Sequence, residues 1–481
     1  MSTLKTIFKN AGFLYTSEVF RKILFFFLVV YATRTLGTVG WGKISFGMAY
    51  TSMFLIVMDA GLLSIIIRDI ARDKSLVQKY VKNLLLMKVF LAIITYILIV
   101  VVINALNYPP NTKFVVYIFG FVVILDAFSE LFKSVYQAFE RMEYVAYSRI
   151  IQAVVVVSLG VTVLFLGKGI YWYATAYFIA ALVNFLFTLF ITSKYFAKIG
   201  FEIDLTLWKK LLKKGLPLLL STVFGILYFK IDTILLSIMK GDAIVGIYSA
   251  AYQVIVAIIF IPTLFSVVVF PVLSRFYKES KELLFLTYKK AFTYMFILGL
   301  PISVGGFILA DQLVLILYGV EYIQSIAALK VLVFVGLMVY LNYILYNTLI
   351  AIDKQIEWMY ISGGSAILNV ILNIVLILKM GFVGAAYATL ITQVFTAAAI
   401  YYFVTKATSS LPFRSIVVKP VLAVAVMGLG VFFLRDVSIV LAVPAGAVIY
   451  FGVLVLTRAF TTDDVEMFKR IAEAVQNRVV S

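Results

Sequence analysis

The chain has 481 residues, 64% of them hydrophobic and only 13% charged, with a mean hydropathy of +1.08; soluble domains run near half apolar and a quarter charged, so this composition calls for lipid as solvent and excludes an ordinary soluble enzyme. It contains no Cys and no His, which removes thiolate nucleophiles, disulfides, imidazole bases and most zinc or iron sites, and leaves carboxylates to carry any proton-linked step. The net charge of +18 is spread over short segments between apolar runs, a distribution that gives no support to nucleic-acid binding.

In chain order, the first apolar run continues through Arg34 into a second and lacks a small-residue cleavage site, so it reads as a retained membrane helix. Apolar stretches of about 20 residues, each able to cross a ~30 Å hydrocarbon core, fall at 12–33, 42–67, 82–106, 113–138, 145–166, 170–193, 214–239, 243–273, 284–308, 325–350, 356–378, 381–405, 414–434 and 439–460. The pattern predicts an all-α polytopic membrane protein with fourteen transmembrane helices, and a short helix at the outer surface over 309–319. The string Gly42-Lys43-Ile44-Ser45 lacks the glycine spacing of a phosphate-binding loop, so ATP hydrolysis is not expected. In 461–481, Val465, Phe468, Ala472, Val475 and Val479 share one stripe, as an amphipathic helix along the inner surface or a partner-binding tail requires.

Cytoplasmic loops retain positive charge. With the N-terminus inside, the segments on that side hold 28 of the 41 Lys and Arg and the outer loops 7, which predicts a multi-pass protein of the inner (cytoplasmic) cell membrane with both termini cytoplasmic. The chain also repeats itself: Gly37 and Gly42 recur as Gly241 and Gly246, AFERMEY at 138–144 as AIDKQIEW at 351–358, and Gly169 as Gly381. Spans 1–6 and 7–12 are therefore expected to be two parallel copies related by an axis along the membrane normal, with a transport path between them. The expected organisation is an N-lobe over 1–205, a C-lobe over 206–408, two further helices in 409–460 and a cytoplasmic tail over 461–481.

Charges inside apolar helices are costly and face a partner or a watery cavity. Glu18, Arg21 and Lys22 are spaced to share one face of the first span, and Asp126, Glu130 and Lys133 repeat that spacing in the fourth. Lys230 and Asp232 lie in the seventh, and Asp59 in the second. Cavity-lining charges and a salt-bridge network between helices both fit this pattern. Close packing fits the small residues Gly381, Gly384, Ala385, Ala386 and Ala388.

DAGLLSIIIRDIAR at 59–72, KIDTILLSIMKGDAIVGIYSAAYQV at 230–254, FPVLSRFY at 270–277, Gly319 with Tyr322, and NVILNIVLILKMGFVGAAYATLITQ at 369–393 resemble the polysaccharide-transporter branch of the multidrug/oligosaccharidyl-lipid/polysaccharide (MOP) exporter superfamily. The DAGL and GIYSAAY strings favour its O-antigen-type repeat-unit flippases. The resemblance implies a V-shaped, two-lobed transporter that moves a polyprenyl-pyrophosphate-linked oligosaccharide to the outer leaflet by alternating access, and not an enzyme. In that family a basic position on the first helix contributes to a cationic cavity, and Arg21 or Lys22 occupies it here. From their placement inside apolar helices, Arg21, Lys22 and Lys230 are the candidates to hold the pyrophosphate, and Glu18, Asp59, Asp126, Glu130, Lys133 and Asp232 are candidate coupling or cavity charges. No cofactor is expected, and coupling to H+ or Na+ stays open, as does the choice between ion coupling and a structural pair at Asp232. The implied partners are the lipid-linked glycan, membrane lipids and a polysaccharide polymerase or other assembly proteins. A lipid II flippase and an ion-coupled multidrug antiporter of the same superfamily are the competing readings.

Overall fold

The computed structural model describes residues 3–59 and 61–459, with side chains at 3–11, 14–15, 216–218 and 220–222 excepted; the amphipathic helix expected over 461–481 lies outside the described residues. Every longer regular element among the described residues is an α-helix: α1 (Thr3–Met53), α2 (Leu55–Asp59), α3 (Leu62–Arg72), α4 (Val77–Ala105), α5 (Pro110–Ala138), α6 (Met142–Phe165), α7 (Gly169–Tyr195), α8 (Leu205–Lys240), α9 (Asp242–Ile258), α10 (Phe260–Glu279), α11 (Lys281–Ile308), α12 (Ala310–Tyr318), α13 (Ser325–Ala351), α14 (Gln355–Ala407), α15 (Phe413–Leu434) and α16 (Ile439–Leu456). Eleven helices among the described residues are long and apolar enough to cross a membrane, so the chain is an all-helical, multi-pass membrane protein.

Two of these helices are too long for one crossing. α14 has 53 residues, about 80 Å at 1.5 Å per residue, and α1 has 51. Each is interrupted by one glycine in a backbone conformation closed to other residues, Gly37 (φ 69°, ψ 179°) in α1 and Gly381 (φ 59°, ψ −138°) in α14. Gly241, 204 positions after Gly37 in sequence, has nearly the same conformation (φ 84°, ψ 176°) between α8 and α9.

The chain divides into two compact units, residues 1–257, 317–325 and 359–392, and residues 258–316, 326–358 and 393–481. In the first, Leu28, Ala32, Trp41, Val115, Phe119, Val156 and Tyr173 form one core where α1, α5, α6 and α7 meet. A second core gathers the apolar stripe of α3 (Leu62, Ile65, Ile66, Ile70) with Leu84, Leu131, Phe132 and Tyr136; the Tyr136 hydroxyl donates to the Thr188 carbonyl at 2.5 Å.

Hydropathy predicts one continuous helix over 42–67, and here the structure differs. The helix stops at Met53, resumes briefly as α2 and restarts as α3 after Gly61, whose φ is +70°. The cause is tertiary: a Cβ on Gly61 would lie 2.3 Å from the Gly215 carbonyl oxygen of α8, so the backbones meet where no side chain fits. Further on, Asp204 caps α8, accepting from the Leu207 amide at 2.8 Å and pairing with Lys79 at 2.7 Å.

That hydrogen bond from Lys79 holds the Asp204 carboxyl below its ordinary range. A depressed carboxyl stabilises the fold above its unfolded pKa, and the contribution is lost as pH falls through the folded value. Asp204→Asn, which keeps the cap and loses the ion pair, is expected to melt slightly below wild type at neutral pH, the gap closing below about pH 4. Detergent-solubilised melting against pH checks this; a gap that persists in acid contradicts it.

In the second unit, α11, α15 and α16 pack together, with the Tyr450 hydroxyl donating to the Ile297 carbonyl at 2.9 Å. Glycines allow the close approach of α15 and α16: a Cβ on Gly430 would meet Ile449, and one on Gly446 would meet Val431, each at 2.6 Å. The Ser303 hydroxyl donates to the Val333 carbonyl at 2.7 Å, and Lys330 pairs with Asp311 of α12 at 3.0 Å.

Candidate functional site

The charges on α1 form a cluster with Arg149 of α6, a residue inside the span predicted at 145–166 that spacing along the sequence does not tie to them. Arg21 grips Glu18 with both arms of its guanidinium, Nη2 to Oε1 at 2.7 Å and Nε to Oε2 at 3.1 Å. Arg149, in the second turn of α6, approaches the same carboxylate at 3.7 Å, and Lys22 acts on it electrostatically. Three cations thus surround one acid and leave a positive surplus. Arg21, Glu18 and Arg149 keep 38%, 25% and 34% of their side-chain surface exposed, enough for a further anion to reach the guanidiniums. Two guanidiniums and an ammonium are the donor set that binds phosphate oxygens, by fork and by point charge.

The other acids belong to the same first unit and have partners of their own. Asp126 accepts from Gln152 Nε2 at 2.8 Å; Asn184 Nδ2 donates to Gln152 Oε1 at 3.4 Å, and the Ser148 hydroxyl donates to Asn184 Oδ1 at 2.6 Å. This chain of side chains ties α5, α6 and α7 together. Glu130 pairs instead with Lys133 at 2.7 Å, one helical turn away. Asp59 ends α2; its Oδ1 is buried with no hydrogen-bond partner among the described residues. Lys88 of α4, itself buried, donates to the adjacent Met58 carbonyl at 2.9 Å and acts on Asp59 electrostatically.

On α8, Asp232 is buried and bonded on both oxygens, to the Tyr248 hydroxyl at 2.6 Å and to the Thr233 amide at 2.7 Å. Lys230 is exposed two residues earlier. Behind them in sequence, Asn373 Nδ2 donates to Asn369 Oδ1 at 3.0 Å, and Asn369 Nδ2 to the Thr392 hydroxyl at 3.3 Å. The small residues packed as their size requires: Ala385, Ala386 and Ala388 are fully buried, and a Cβ on Gly384 would lie 2.1 Å from the Leu376 carbonyl oxygen.

Arg149 and Lys88 lie inside the predicted spans 145–166 and 82–106 without being among the charges singled out there, and the uncharged Gln152–Asn184 pair gives no charge signal at all. The signal on α6 is a polar stripe: Ser148, Arg149 and Gln152 fall within five residues near the start of a largely apolar helix.

Residues 7–277 match the family model described as "Polysaccharide biosynthesis protein", more than half of the chain. The chain belongs to that family. Relatives to which it is similar include the capsular polysaccharide biosynthesis protein CapF of Staphylococcus aureus, 23% identical over 82% of this chain and 98% of CapF, and the probable flippase AglR of Haloferax volcanii, 28% identical over 47% of this chain and 50% of AglR. Among solved structures, the fold is similar to the lipid II flippase MurJ in an inward closed conformation, with a TM-score of 0.75 at 16% identity over 92% of this chain and 98% of that one. It is also similar to an inward-facing multidrug resistance MATE family transporter of the MOP superfamily, with a TM-score of 0.65 at 15% identity over 80% and 95% of the two chains. Family and fold agree: the chain is a multi-pass helical membrane protein of the polysaccharide biosynthesis family, with a fold shared by the two solved transporters.

Proposed function

We propose that the protein flips a polyprenyl-pyrophosphate-linked oligosaccharide, a polysaccharide repeat unit, from the inner to the outer leaflet of the cell membrane by alternating access. The observation that carries this reading is the cation surplus at Glu18, Arg21, Lys22 and Arg149 in a family of polysaccharide biosynthesis proteins. Burying each sugar hydroxyl in hydrocarbon without a partner costs about 4–8 kcal/mol, so the glycan needs a polar path; its pyrophosphate needs cations along that path. Arg21, Lys22 and Arg149 bind the pyrophosphate, with Lys230 as a second contact.

The proposed topology has fourteen crossings and both termini cytoplasmic. In its support, dividing α1 at Gly37 and α14 at Gly381 and counting the 36-residue α8 brings the spanning helices to that number. Parallel repeats over 1–205 and 206–408, followed by two further helices in 409–460, are the organisation this implies. The matched backbone at Gly37 and Gly241 supports them. Coupling to H+ or Na+ at the buried Asp232, and collaboration with a polymerase or other assembly proteins, belong to the same proposal.

Complementation tests the substrate class. Expression in strains lacking a defined repeat-unit flippase is expected to restore surface polysaccharide, while a strain depleted of its lipid II flippase is expected to stay unrescued. Rescue of peptidoglycan synthesis alone would replace the proposal with a lipid II flippase.

A further inference from the structure

The breaks at Gly37 and Gly241 are each held by a loop and the adjoining helix end from the other half of the chain. Below Gly37, the Tyr322 hydroxyl donates to the Thr33 carbonyl at 3.0 Å; above it, Glu321 Oε1 accepts from the Thr38 amide at 2.7 Å and the Thr38 hydroxyl at 3.1 Å. Arg34 adds a bond from Nε to the Leu317 carbonyl at 2.8 Å. Below Gly241, the Tyr108 hydroxyl donates to the Ser237 hydroxyl at 2.9 Å; above it, the Thr112 hydroxyl donates to Asp242 Oδ2 at 3.0 Å.

The gripped positions of the two arrangements correspond. Thr33 and Ser237, and Thr38 and Asp242, are separated by the same interval as Gly37 and Gly241, and a tyrosine from the opposite half of the chain serves each, Tyr322 just before α13 and Tyr108 just before α5. Between the clasps the backbones touch reciprocally. A Cβ on Gly42 would lie 1.8 Å from the Asp242 carbonyl oxygen, and one on Gly246 2.0 Å from the Thr38 carbonyl oxygen. A contact in which residue i meets j and the equivalent of i meets the equivalent of j closes about a two-fold axis. Such a joint cannot release one side and keep the other, because each loop holds the element on which the opposite loop depends.

We propose that these reciprocal clasps, Tyr322–Thr33 with Glu321–Thr38 and Tyr108–Ser237 with Thr112–Asp242, are the outer closure of the transporter and open as one unit. The proposal rests on the alternating-access reading and on the orientation from loop charge, which sets all four segments outside. The clasp residues are positioning residues: they hold the closure and touch no substrate.

Because the natural chain has no Cys, a single introduced thiol reports one site. Thr33→Cys sits on a fully buried position whose clasp bond uses its carbonyl, so the clasp survives the substitution; Thr35→Cys, exposed, serves as the accessible control. Intact cells are treated with a membrane-impermeant maleimide. Thr33→Cys is expected to label slowly, and about 5-fold faster once the opposite clasp is weakened by Tyr108→Phe and Thr112→Val, with Thr35→Cys unchanged. Unaltered labelling at Thr33→Cys would mean two independent structural contacts and overturns the proposal. An unlabelled Thr35→Cys would overturn the orientation and the proposal with it.

In a second arm, joining Thr112→Cys to Asp242→Cys with a short thiol cross-linker is expected to stop glycan export, and reductant to restore it. Export that continues while cross-linked overturns the closure. The labelling arm needs no substrate, so failure of the glycan assignment in complementation leaves its result standing and separable.

Discussion

Truncating Arg21 and Lys22 together to Ala is expected to lower glycan export by about a hundredfold or more, with protein level and detergent-solubilised melting close to wild type. Hydrogen bonds to charged groups contribute about 1.5–3 kcal/mol each, so two lost phosphate contacts account for that size. Folding is expected to survive because Glu18 is not abandoned: Arg149 lies 3.7 Å from its Oε2 and closes on it when Arg21 is gone. Arg21→Lys should keep more activity than Arg21→Ala, since a point charge replaces part of a bidentate fork. The sharper comparison is Arg21→Ala with Arg149→Ala. Removing both guanidiniums leaves Glu18 with Lys22 as its nearest cation, and an acid stripped of partners inside an apolar helix costs stability, so this pair is expected to lower melting and export together. If Arg21→Ala with Lys22→Ala also lowers melting in step with export, the cluster is a structural brace and the pyrophosphate assignment fails.

Gly61→Ala is expected to be the most damaging single methyl addition near the α2–α3 break. The position requires φ +70°, which costs an L-residue about 1–2 kcal/mol, and the added Cβ would sit 2.3 Å from the Gly215 carbonyl oxygen and 3.0 Å from the Leu219 amide nitrogen. Both obstacles are backbone, so α3 must move off α8, and part of the burial of Leu62, Ile65 and Ile66 goes with it. A loss of about 3 kcal/mol or more follows, read as a fall in melting temperature and expression. Gly364→Ala is the matched control. It lies inside α14 with ordinary φ and nothing within 4 Å of its Cβ, and helix propensity predicts a gain of about 0.5–1 kcal/mol. Equal effects at both positions would show that the α3–α8 approach does not govern stability.

The sequence by itself determined the membrane class, the all-helical architecture and the family. These follow from local quantities: an apolar run of about 20 residues can only be a spanning helix when lipid is the solvent, and DAGL, GIYSAAY and GFVGAAYAT are contiguous strings. The glycine recurrences were visible too, although nothing in them announced that a loop from the other half of the chain would grip each break. Spacing along one helix also put Glu18 beside Arg21, because residues three apart share a face. Only the tertiary structure decided that Arg149 is the second cation on Glu18, that Asp126 is held by Gln152 and not by Lys133, and that Asp232 bonds Tyr248. It also decided that the run over 42–67 breaks at Gly61. In each case the partner lies on another helix, or a neighbouring backbone sets the conformation. Hydropathy and spacing register how a residue partitions and which face it occupies, and contain nothing about which helix stands opposite.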